Sequence, residues 1–60
     1  MLYKIMTSKK GEVIQWFESP DALEVGEFLA TDIGAKKILM VGMIEKDKNT
    51  KKSYIPIWTS

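Results

Sequence analysis

Residues 19–34, SPDALEVGEFLATDIG, are the one stretch of the chain in which both ends of a helix are marked. Ser19 suits an N-cap, because its hydroxyl can accept a bond from an unpaired amide of the first turn. Pro20 suits the first helical position, where its missing N–H costs nothing. Asp21 complements the positive end of the helix dipole. Ala22, Val25, Gly26, Leu29 and Ile33 recur at helical spacing, flanked by Leu23, Phe28 and Ala30. Gly34 follows the last apolar position and suits a left-handed C-cap. The pattern predicts one helix whose outer face is acidic, carrying Asp21, Glu24 and Glu27.

The flanking segments read as strands. Residues 2–8 and 12–18 form a predicted hairpin closed by Lys9, Lys10 and Gly11, with the glycine at a positive-φ position. Residues 38–44, ILMVGMI, are an unbroken apolar run that suits a strand covered on both faces. After a polar turn at residues 46–50, residues 53–59 alternate enough to form a fourth strand. Pro56 cannot donate to a ladder, which points to an edge position or a bulge. The expected fold is therefore α+β, ββαββ: a single domain over residues 1–60, with one helix packed on one face of a four-stranded, mostly antiparallel sheet. Strand orders 2-1-3-4 and 1-2-3-4 both satisfy this pattern; the first keeps strand 3 internal and strand 4 at an edge.

Side chains alternate across a strand, so each strand divides into two sets. Tyr3, Ile5, Ile14, Trp16, Leu39, Val41, Met43, Ile55 and Ile57 form the set expected beneath the helix. The other set contains Leu2, Met6, Val13, Phe17, Ile38, Met40, Ile44, Tyr54, Pro56 and Trp58, interrupted by Lys4 and Gln15. One helix cannot cover both. A large exposed apolar patch usually marks an interface, and the expected protein contact centres on Met6, Phe17, Met40, Tyr54 and Trp58.

Composition narrows the chemistry. The 60 residues include no cysteine and no histidine, which removes disulfides and the usual zinc and iron–sulfur ligands. It also removes the commonest general base and the commonest thiol nucleophile. The four glycines are isolated, so no phosphate-binding loop is present. These features point away from an enzyme, and no metal or cofactor is expected. No apolar run approaches the roughly 20 residues that span a bilayer, and residues 1–8 lack the form of a signal peptide. The expectation is a cytoplasmic protein with no membrane contact.

All nine basic residues are lysine. Lys9 and Lys10 in the first turn, with Lys36 and Lys37 before the third strand, should share one end of the sheet as possible phosphate contacts. The leading functional expectation is a small, homodimeric protein-binding module of adaptor or inhibitor type, acting through the open sheet face and the acidic helix. In build alone it is like the compact inhibitors and adaptors encoded by phages and mobile elements. The alternative is a nucleic-acid-binding module that uses lysine-rich turns and stacks bases on open-face aromatics.

Overall fold

A computed structural model describes all residues, 1–60, and contains no helix. Six strands form a curled mixed sheet, a half-barrel, and the α+β expectation is overturned. The strands are β1 (Leu2–Thr7), β2 (Val13–Glu18), β3 (Phe28–Thr31), β4 (Gly34–Val41), β5 (Glu45–Lys46) and β6 (Ser53–Thr59). Their spatial order is β2-β1-β6-β4-β3, with β5 also paired to β6. Neither expected strand order is realised. The chain makes three hairpins, β1–β2, β3–β4 and β5–β6, and a parallel seam between β1 and β6 joins the first to the last.

The segment expected to be helical divides into a loop and a hairpin. The signals that mark a helix start also mark a turn. The Ser19 hydroxyl accepts from the amide of Asp21 at 3.2 Å and donates to its carbonyl at 2.9 Å. The Glu27 amide donates to the Glu24 carbonyl, and Gly26 lies at φ 95°, the arrangement of a type II turn. Phe28 and Thr31, at the two ends of β3, are aromatic and β-branched and favour strand. Gly34, at φ 109°, takes the left-handed conformation foreseen for it, but it closes the β3–β4 hairpin rather than a helix.

The curled sheet covers its own core. Tyr3, Ile5, Ile38 and Ile57 are buried together on the concave side, with Ile14, Leu23, Leu29, Val41 and Ile55 packed against them. The loop of residues 19–27 crosses from one edge of the sheet to the other. It is held by the Leu23 amide donating to the Tyr3 hydroxyl at 3.1 Å and the Gly26 amide donating to the Ile38 carbonyl at 2.9 Å.

Pro56 lies in β6, the central strand, rather than at an edge. β6 pairs with β1 along one side and with β4 and then β5 along the other. The Pro56 carbonyl accepts from Gly42, just past the end of β4, at 2.8 Å. The N–H and C=O of a strand residue point the same way, so the donor that proline lacks faces the gap between β4 and β5. Gly42 is required there. A Cβ at this position would lie 2.7 Å from Pro56 Cγ and 3.0 Å from Trp58 Cζ3.

Candidate functional site

β2 and β3 are the two ends of the sheet path, and the curl turns them toward one another without pairing them. The Asp32 amide donates to Gln15 Oε1 at 3.1 Å, tying the β3–β4 turn to the middle of β2. Beside this bond lies a cleft of about 170 Å³ lined by Ile5, Gln15, Phe17, Leu29, Ala30 and Thr31. Its floor is core. Its walls are the free edges of two strands that contain neither lysine nor proline. Those residues are the usual guards against unwanted pairing. The chain makes 30 backbone–backbone hydrogen bonds, where a domain of this length would make about 40.

The electrostatics of the edges is one-sided. Residues 11–35 contain six carboxylates and no lysine, while the rest of the chain contains nine lysines with Glu45 and Asp47 (−6 against +7, for a net charge of +1). Glu12 and Glu18 bracket β2, and Glu27 and Asp32 bracket β3. Glu18 is paired with the Met1 amino group at 2.8 Å. Asp21, Glu24 and Glu27, foreseen on a helix face, sit instead on the connecting loop, all exposed.

The convex face carries a different arrangement. Trp16 and Tyr54 meet edge to face with ring centroids 5.2 Å apart, and Lys4 Nζ lies 5.6 and 5.5 Å from the two centroids. Met40 and Met6 are both register partners of Trp58. Four of the five residues expected at a protein contact, Met6, Met40, Tyr54 and Trp58, therefore share this face. Their exposure differs: Met40 is 52% exposed and Met6 only 8%. Phe17 is not with them, because it is the partner of Tyr3 and borders the cleft. Trp16 takes its place.

Two bulges cause these exchanges. Ile14 is an extra residue between the pairs Ile5–Gln15 and Met6–Val13, and Leu39 is extra between Ile38–Thr59 and Met40–Trp58. Each bulge reverses the alternation for the residues beyond it. Trp16, expected beneath the helix, thus faces outward, and Ile38, expected on the open face, is fully buried.

Lysines gather at one end of the sheet. Lys9, Lys10 and Lys36 line a shallow groove of about 540 Å³ with Thr7, Ser8, Glu12, Leu39 and Ser60. Lys37 does not line it; its backbone carbonyl accepts from the Ser60 amide instead. At the other end, Lys46, Lys48 and Lys51 surround Asp47. The amides of Thr50 and Asn49 donate to Asp47 Oδ1 and hold its carboxyl below the usual carboxylate range, aided by Lys4 and opposed by desolvation. Lys51 takes a left-handed conformation, φ 59°, to close this loop.

No local pattern marks the cleft, since it depends on which strands become edges. No family model matches the chain, and comparison with curated proteins and with solved structures finds no match either. No helix of the structure is long and apolar enough to cross a membrane.

Proposed function

We propose that the protein is a small, non-enzymatic protein-binding module that receives an extended segment of a partner at the open side of its half-barrel. The observation that carries this reading is the pair of unguarded edge strands, β2 and β3, beside an apolar cleft. An extended chain laid along such an edge gains main-chain hydrogen bonds, while pockets between the strands select its side chains. The cleft is comparable in size to a protein cavity that accepts a benzene ring. A cytoplasmic setting suits a chain without cysteine.

Selection from a displayed library of random heptapeptides tests the reading. Binders should be enriched on the natural protein and lost on the Ala30→Lys variant, which puts a guard in mid-β3 at an exposed position. Failure to enrich any peptide, or equal enrichment on the variant, would sink it.

Nucleic-acid binding is the second reading, favoured by the Lys4–Trp16–Tyr54 cluster and the groove of Lys9, Lys10 and Lys36. It ranks lower because a carboxylate stands in each place. Glu12 lines the groove, and Asp47 lines the hollow beside Trp16 with Leu2, Thr50 and Lys52. Its test is quenching of tryptophan fluorescence by an oligothymidylate. The effect should disappear in Trp16→Ala and weaken steeply with salt.

A further inference from the structure

We propose that the segment received by the open edges alternates apolar with basic side chains. This rests on the strand-addition reading above and names the chemistry of the partner.

The argument is one of charge and register. An added strand directs alternate side chains to the same face. One set would enter the cleft formed by Ile5, Phe17 and Leu29, which accepts apolar groups. The other set would point away from the core. The carboxylates Glu12, Glu18, Glu27 and Asp32 stand at the four ends of the two edge strands; Glu18 is paired with the Met1 amino group and Glu12 shares the groove of Lys9, Lys10 and Lys36, which leaves Glu27 and Asp32, at the ends of β3, without an ion pair. Oppositely charged cross-strand neighbours stabilise a pair and like-charged neighbours destabilise it. Lysine or arginine on the incoming strand satisfies this field, and glutamate or aspartate opposes it.

The same charge disfavours a second copy of this chain as the occupant. A symmetric contact brings a patch against itself. Here it would set a stretch of charge −6 against another of −6. The lysines of a second copy offer no free strand in exchange. Lys9 and Lys10 lie in the β1–β2 turn, Lys36 and Lys37 lie in β4, which is paired to β3, and Lys46 to Lys52 close the β5–β6 hairpin. The edges are thus suited to a different protein with a basic, extended segment of four to six residues, the lengths of β3 and β2.

The experiment uses the full chain labelled with nitrogen-15 and three synthetic octapeptides. These are alternating valine and lysine, alternating valine and glutamate, and the valine–lysine peptide N-methylated at alternate amides. Amide shifts give the site, and titrations at low and high salt give affinity. The valine–lysine peptide should perturb residues 13–18 and 28–31. It should bind about tenfold more tightly than the valine–glutamate peptide at low salt, a margin that two or three cross-strand charge pairs supply. Salt should narrow that margin, N-methylation should abolish binding, and Glu27→Lys with Asp32→Lys should reverse the preference. Equal or tighter binding of the valine–glutamate peptide overturns the basic-partner inference and leaves strand addition standing. No binding by either unmethylated peptide, or binding indifferent to N-methylation, overturns strand addition itself. A concentration-dependent dimer with protected β2 and β3 amides would make a second copy the occupant and overturn the proposal.

Discussion

β6 and the two edge strands invert an ordinary arrangement. The strand at the centre of the sheet contains a proline, and the strands at its margins contain neither proline nor lysine. Proline is tolerated in β6 because its missing donor faces the gap where β4 ends and β5 has not begun. The margins have no such local accommodation. Their backbone groups are left open beside a cleft that continues the core. The contrast teaches that position in a sheet is set by what a strand can bury.

The contrast can be broken most forcefully at the centre. Ile57 is fully buried in β6, and Ile57→Ala should cost about 3 to 4 kcal/mol, within the range for large-to-small core changes. That is enough to unfold much of so small a domain, as denaturant titration would show. Ala30→Lys on the edge should stay within about 0.5 kcal/mol of the parent. Comparable losses from both substitutions would abolish the distinction between centre and margin.

Gly42→Ala comes next. Its methyl group would press on Pro56 and Trp58, at about 1 to 3 kcal/mol for an overpacked site. Adding Pro56→Ala should recover part of that loss, so the double mutant should be less unstable than the two single effects combined. Simple additivity would mean that the close approach to proline is not the cause.

On the convex face, Lys4→Ala should cost about 1 kcal/mol, because it removes two half-buried cation–π contacts. Lys4→Met should recover less than half of this if charge rather than packing is responsible. Thermal unfolding would resolve the difference, since about 1 kcal/mol moves the midpoint by roughly 4–8 °C in a domain of this size.

The smallest effect lies in the β5–β6 loop. The fold depresses the pKa of Asp47, so the folded loop favours its ionised form. That contribution is complete above the ordinary aspartate value of 3.8 and is lost as the pH falls through the lower folded value. The amide signals of Asn49 and Thr50 should therefore move together on acidification, below the range in which ordinary aspartates titrate. In Asp47→Asn they should show no such transition.

Much of the strand framework was legible. The spans of β2 and β6 and the β1–β2 turn with Gly11 at φ 63° follow from local patterns. The middle of the chain did not. Ser19, Asp21 and Gly34 make the same local bonds or dihedrals in turns as they would at the ends of a helix, so their chemistry could not discriminate. Only tertiary pairing decides between the two, through the Gly26 and Ile38 amides and the β3–β4 ladder. The faces failed at two points for a different reason. A parity reading assumes an unbroken ladder, and the single extra residues Ile14 and Leu39 each reset it. The cleft was invisible because the sequence names strands but not their neighbours.

The parallel seam between β1 and β6 also governs when the protein can exist. Each of the three hairpins can close soon after its own residues are made, within microseconds of becoming free. The core cannot. Besides their hairpin partners in β2, Tyr3 and Ile5 pair with Ile55 and Ile57, some fifty residues further along, and without these the core is open. On the ribosome, residues 1–50 are therefore a set of frayed hairpins with exposed apolar faces. The fold forms only once β6 has emerged and paired with β1.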